Sequence, residues 1–440
     1  MRCCPHVGAF FLFSVGLGLL GHALLYHWAL RTVPWVRRHR RLAAALLAGL
    51  ALLAPVCRLL AMSSHSAWLG QLAVYGILET LTVLIGALLT AVFSGLSALG
   101  FGVAGLVRGR KPAAAPLPLV SAVEEPARVA ERAPTPGPVL QPAAAPASLA
   151  PDPALALLGR RLVLERGLGL AAYGTVGSVL GWGMIHGRHD YTVEELVIRV
   201  PGLSPKLDGY TIAQVSDLHA GLLVDEAEFD RGFAFLRKLR PDLVVATGDL
   251  VDHDAGYAPM LARKLAELGA RDGTFAILGN HDYYAGAQRV QEAMERAGVN
   301  MLVNDSRHLR TTEGPGLVLL GVDDFAGLRY RGRGPDLDGT LRRLAPEARE
   351  APRILLAHQP PFFDQVYGRA ALQLSGHTHG GQINLAGIQS AKLVGMRYVE
   401  GRYAAGPDST LWVNRGFGVA GPPSRVGAPP EITKIVLVAA

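Results

Sequence analysis

The stretch YTIAQVSDLHAG (residues 210–221) joins a short β-rich run to a polar cluster at the point where that run ends. The same junction recurs along the second half of the chain. Runs such as YTIAQV, DLVVAT, TFAIL, LVLLGV and RILLAH alternate with helical candidates at 225–239 and 259–268, which is an α/β pattern. The polar clusters are SDLHAG (216–221), TGDLVD (247–252), LGNHDYY (278–284), LLAHQPP (355–361) and LSGHTHGG (374–381). Strand ends are where open α/β sheets place their sites. Singly, each cluster has a bland explanation, because an Asp after a strand is commonly a turn or cap residue and a lone His a satisfied polar group. Together they form a mixed set of carboxylate, imidazole and carbonyl donors. Two divalent cations held close together need such a set, with one carboxylate shared so that their repulsion is offset. Asp217 and His219, two residues apart, can both turn toward one ion where a strand unwinds, and glycines beside Asp249, Asn280, His377 and His379 allow sharp turns. His377 and His379 read as ligands, one to each metal.

Composition places that site in a larger chain. With 440 residues, 50% hydrophobic and only 18% charged, the protein has room for more than one domain and is too apolar for a single water-soluble globule. Cys3, Cys4 and Cys57 all fall near the N-terminus, so cysteine chemistry is excluded from the remainder. The net charge is +7 and 37 of the 43 basic residues are arginine, but they are dispersed. That distribution fits anionic ligands or lipid headgroups, and no nucleic acid is expected.

The apolar excess lies in residues 1–107, a multi-span transmembrane region. Residues 7–30 and 42–62 have spanning length, since about 20 helical residues cross a bilayer core. RTVPWVRRHRR (31–41) between them should stay in the cytoplasm. Residues 68–107 carry Glu79 as their only charge; their length favours two spans, whereas the RGRK after them favours one long element. Residues 108–158 are a linker expected to be disordered, because 25 of the 51 are Ala or Pro. Residues 159–186 form either a further membrane anchor or a degenerate export-signal-like helix. Residues 187–440 are the soluble catalytic domain. The arginines at 108, 110, 160, 161 and 166 favour a cytoplasmic linker, hence a multi-pass protein of the cell membrane with an extracytoplasmic catalytic domain.

The five clusters are similar, in content and order, to the calcineurin-like metallophosphoesterase family, and GHTHGGQI with the later NRGFGVAGPPSRVGAPPEI resembles its membrane-associated branch. The resemblance implies a four-layer αββα sandwich following the transmembrane region. It implies two divalent metal ions (Mn, Fe or Zn), one held by Asp217, His219, Asp249 and His379, the other by Asp249, Asn280, His358 and His377. Asp252 would support the site. His281 would act as catalytic acid on the leaving oxygen, oriented by Asp282. Arg415 and Arg425 are candidates to bind substrate phosphate. Gln359, where many relatives carry Asn, and Ala386, where the branch often has Pro, depart from the pattern at the pocket edge. The implied activity is hydrolysis of a phosphate monoester, diester or diphosphate on a phosphorylated small-molecule or lipid substrate. The alternative is an inactive phosphoesterase fold serving as a binding or scaffold protein. A transporter is disfavoured, since Glu79 is the one carboxylate of the membrane region.

Overall fold

The computed structural model describes residues 5–64, 67–108, 153–312, 314–406 and 408–439, and the linker expected at 108–158 lies outside these except at its ends. The described chain begins with helices α1 (Pro5–Thr32), α2 (Pro34–Arg38), α3 (Arg40–Ser64), α4 (Ala67–Arg108) and α5 (Pro153–Ile185). The stretch read as one element or two is a single helix, α4, unbroken over 42 residues. No proline interrupts it, and no polar cluster offers the backbone partners that a reversal inside lipid would require. Among the described residues, 40–57, 68–99 and 159–189 are long and apolar enough to cross a membrane. The span expected at 7–30 coincides with α1, although the side chains of its first turns lie outside the described residues.

These helices approach one another closely at small residues. A Cβ on Gly86 would stand 2.3 Å from the Tyr173 ring, and one on Gly169 would stand 2.3 Å from that of Trp28. Pairing of Gly18 with Ala51, Gly76 with Ala54 and Gly177 with Thr82 makes α1/α3, α3/α4 and α4/α5 antiparallel neighbours. The basic run at 37–41, the far end of α4 and the start of α5 therefore share one face of the bundle. The C-terminal end of α5 emerges on the other face, where the rest of the chain is attached.

That remainder holds two six-stranded sheets. The first contains β1 (Thr192–Val200), β2 (Tyr210–Val215), β3 (Leu243–Thr247), β4 (Thr274–Ile277), β5 (Asn300–Met301) and, from the end of the chain, β12 (Glu431–Ala439), in the order β1-β12-β2-β3-β4-β5. The second contains β6 (Asp305–Leu309), β7 (Leu317–Gly321), β8 (Arg353–Leu356), β9 (Leu372–Ser375), β10 (Gly401–Ala404) and β11 (Thr410–Val413), in the order β10-β11-β9-β8-β7-β6. β12 runs parallel to β1 and antiparallel to β2, with Ile435 opposite both Leu196 and Ile212.

Alternation along β2 shows how the layers are made: Tyr210 and Ile212 face the second sheet, whereas Ala213 and Val215 face helices. A strand covered on both faces reads as a continuous apolar run. Ile212, Val245, Phe275, Leu319, Ile354 and Leu374 fill the space between the sheets. Outside the first sheet lie α6 (Glu226–Leu239), α7 (Ala258–Ala266), α8 (Asn280–Ala285) and α9 (Ala287–Arg296). α6 begins where the Asp225 side chain accepts from Glu228 N, and it buries Phe229, Phe233 and Leu236 on one stripe. Truncating Phe233 to Ala would cost about 3–5 kcal/mol. Outside the second sheet lies α11 (Leu337–Arg342), while α10 (Ala326–Arg331) packs against α8 and α12 (Ser390–Leu393) against the turn that begins at His379. Leu337, Phe362 and Phe363 join Leu320, Leu355 and Leu411 in a third core there. The result is an αββα sandwich, with the ends of β2, β3, β8 and β9 converging at one edge.

Candidate metal centre

At that edge the backbone leaves ordinary geometry. Among the described residues, nine that are not glycine have positive φ, and five of them are Asp217 (51°), His219 (45°), Asp249 (49°), His377 (74°) and His379 (52°). Such conformations cost of order 1–3 kcal/mol each and persist where the surrounding fold imposes them, typically at functional sites. Two glycines allow the loops to meet. A Cβ on Gly376 would stand 2.1 Å from Asp217 Oδ2, and one on Gly279 would stand 2.2 Å from Asp249 Oδ1.

The side chains form two adjoining clusters, Asp217–His219–His379 and Asp249–His358–His377. In the first, His219 Nε2 and His379 Nε2 are 3.0 Å apart, and His379 Nε2 is 3.5 Å from Asp217 Oδ1. In the second, His358 Nε2 is 3.2 Å from Asp249 Oδ2 and 3.3 Å from His377 Nδ1. Asp249 Oδ2 is also 3.7 Å from His219 Nε2, which puts this carboxylate between the clusters. Its other oxygen accepts from the backbone N–H of His281. Asn280 is buried, and its Oδ1 has no hydrogen-bond partner among the described residues. An acceptor in that state costs free energy unless something binds it. The donor set of carboxylate, imidazole and amide oxygen fits two divalent cations, and the orphaned Asn280 Oδ1 fits the second of them.

Protonation follows from the same packing. Burial raises the Asp249 carboxyl, but His358, His281 and His219 outweigh it and hold the group well below the usual carboxylate range. Burial, His219 and Arg425 hold His379 well below the ordinary imidazole value, which keeps it a neutral ligand. The tautomer of His358 is set by its Nδ1, which donates to Thr247 O at 2.8 Å and leaves Nε2 for the site.

A third group, His219–Asp252–His281, uses the opposite edge of the His219 ring. Asp252 Oδ1 is 3.5 Å from His219 Nδ1 and 3.1 Å from His281 Nδ1, and His281 Nδ1 also lies 3.0 Å from Asp252 O. Burial disfavours the imidazolium of His281, but Asp249 and Asp252 push its value up to about 9. Asp252 therefore orients His281. Asp282, expected in that role, accepts instead from the backbone N–H groups of Gly279 (2.8 Å) and Val251 (3.0 Å), and caps α8.

The two arginines also depart from expectation. Arg425 is 1% exposed, and its guanidinium donates to the carbonyls of Arg415, Gly416, Gly418 and Ala428 while Nη2 lies 3.2 Å from His379 Nδ1. It props up a histidine and does not face an incoming anion. Arg415 is occupied by Glu194 (2.7 Å) and Glu431 (3.3 Å). Gln359 donates to both oxygens of Asp324, and Ala386 takes φ 52°, which proline cannot adopt. His253, missed in the sequence although it follows Asp252 directly, has its ring tilted against that of His281 at 4.9 Å, and the Tyr284 ring lies 5.2 Å from His281.

Comparison with known proteins agrees with this geometry. The model of the calcineurin-like phosphoesterase family matches residues 210–381. An uncharacterized metallophosphoesterase of Aquifex aeolicus is 32% identical over 247 residues, covering 56% of this chain and 91% of that protein. The chain belongs to the calcineurin-like metallophosphoesterase family. A second metallophosphoesterase relative, YkuE of Bacillus subtilis, is 32% identical over 288 residues, with 64% of this chain and 98% of that protein covered. A protein of Danio rerio named transmembrane protein with metallophosphoesterase domain is 32% identical over 266 residues. This chain spans 59% of its length, and 64% of the length of its Bos taurus namesake. Among the described residues, this metallophosphoesterase carries His/Asp groups that could hold a dimetal centre and three helices long and apolar enough to cross a membrane.

Proposed function

We propose that this protein is a membrane-anchored phosphoester hydrolase. Asp217, His219, Asp249 and His379 hold one divalent cation, and Asp249, Asn280, His358 and His377 hold the other. The observation that carries the reading is the set of five left-handed donor residues, one of them the shared carboxylate Asp249, with Asn280 Oδ1 left without a partner among the described residues. The cations, when bound, supply an activated water and neutralise charge on the phosphoryl oxygens. Asp249 offsets their mutual repulsion. His281 is held by Asp252 through Nδ1, so Nε2 is the nitrogen that donates to the leaving oxygen. Tyr284, 49% exposed, forms a rim beside it.

The substrate is a phosphate ester carried by a lipid or another envelope component. Supporting this are the anchor helices and their direction: the arginines at 37–41, 160 and 161 lie on the bundle face opposite the catalytic domain. Under the positive-inside rule that face is cytoplasmic and the domain extracytoplasmic. Purified full-length protein, assayed for bound metal and against a panel of alkyl, nitrophenyl and lipid phosphates, tests the activity. No turnover with any added divalent metal would favour the scaffold alternative. A single cysteine at Glu350, probed with an impermeant maleimide in intact cells, tests the side.

A further inference from the structure

Among the described residues, the two most exposed large hydrophobic side chains lie in the catalytic domain and not in the bundle: Leu393 and Val394, each 75% exposed. Ile388 (56%) and Met396 (39%) stand beside them in sequence, with exposed Lys392 between. Soluble surfaces rarely gather four such side chains in nine residues. The loop that carries them springs from the place where α5 meets the sandwich. Arg425 N donates to Gly183 O on α5 at 3.1 Å, and Ser424 Oγ donates to Leu180 O at 2.9 Å. The next residue, Val426, receives Asn384 N on its carbonyl at 2.7 Å and donates to Gln382 O at 2.9 Å. The root of the loop is thus one hydrogen-bonded segment away from the last turns of α5, where Trp182 and Ile185 are themselves exposed. Left-handed turns at Ala386 (φ 52°) and Gly387 (φ 77°) precede the exposed stretch at 392–397.

We propose that the loop at 388–396 is a membrane-insertion element: Ile388, Leu393, Val394 and Met396 enter the surface of the bilayer beside α5, with Lys392 at headgroup level. The proposal rests on the reading of α5 as a membrane anchor. An apolar tip flanked by a cation partitions into the interfacial layer, and anionic headgroups add attraction for the cation. The loop follows His377 and His379 after a few residues, so its insertion would hold that wall of the metal centre at the lipid surface. A phosphate carried by a lipid would then reach the site without leaving the bilayer fully.

The test uses full-length protein with Cys3→Ser, Cys4→Ser and Cys57→Ala, reconstituted in nanodiscs of phosphatidylcholine and phosphatidylglycerol. A nitroxide is attached to a single cysteine at Leu393, at Val394 or, as an aqueous reference, at Glu350. Collision with dissolved oxygen should exceed collision with a water-soluble nickel chelate at 393 and 394, and the order should reverse at 350. Nickel-dominated relaxation at 393 and 394 would put the loop in water and overturn the proposal. Shielding from both reagents would overturn it too, since a second copy or another protein would then cover the loop. No turnover is involved, so the result stands or falls separately from the hydrolase reading.

Discussion

The two halves of the metal centre are built on different supports. The cluster of Asp217, His219 and His379 lies fully inside the protein and is backed by Arg425, whose loop is tied by hydrogen bonds to α5. The cluster of His358 and His377, with Asn280, is backed by the sandwich alone, through Thr247 O and the start of α8, and it adjoins the rim formed by Tyr284. Asp249 is common to both. A disturbance in the anchor should therefore reach one half of the centre first, and a disturbance at the start of α8 should reach the other.

Removing the shared group should erase the distinction. Asp249→Asn should lower kcat/KM by more than the roughly 10²–10⁴-fold typical of a single acid–base group, and should empty both clusters when metal is counted on the purified variant. Full two-metal occupancy with normal turnover would break the comparison at its centre. Replacing the side chain of His281, which belongs to neither donor cluster, should leave metal content intact. His281→Gln should cost about 10²- to 10⁴-fold on alkyl phosphates and much less on nitrophenyl phosphate, whose leaving group needs no proton. Equal losses on the two esters would reassign the residue to binding.

Smaller effects separate the halves. A Cβ on Gly183 would meet Ser424 Oγ at 2.4 Å and Arg425 O at 2.6 Å, so Gly183→Val should displace the loop behind His379. Groups that orient ligands typically contribute 10- to 100-fold in metal affinity. Chelator titration of Gly183→Val should release one metal early by about that factor, and Asn280→Ala should release the other. If the Gly183 variant matches the wild type, α5 is only a tether. The smallest effect is on the metal-free protein. His281 has a folded value of about 9, above the ordinary 6.5, so its contribution to stability is fully present below pH 6.5 and is lost as pH rises to about 9. The apparent Tm of the metal-free chain should fall across that window, and His281→Gln should flatten the fall.

How much of this could be read in advance differs from residue to residue. The strand-end clusters were legible because metal chemistry selects residue types, and because the run from Tyr210 to His219 carries both a buried strand and its ligands within a few positions. The resemblance implied Asp282 as the residue that orients His281, and the helix turns it elsewhere. Successive helical side chains point about 100° apart, so Asp282 turns to the N–H groups of Gly279 and Val251 while Asp252, far back in the chain, reaches His281. Arg425 read as a candidate phosphate binder, and only the folding of the C-terminal loop beneath His379, a contact across 46 residues, shows otherwise.

The sequence by itself determined which side chains could hold metal, that an apolar region precedes them, and that buried strands alternate with helices, because composition and short-range periodicity encode these directly. Only the tertiary structure decided that residues 67–108 form one helix, and that Arg425 faces a ligand histidine and not an anion. It also decided that Asp249 stands between two clusters and that the loop at 388–396 leaves the sandwich beside α5. Each of these is a matter of direction, of which face a turn or a helix presents to a distant neighbour, and direction is settled when the sheets and helices pack.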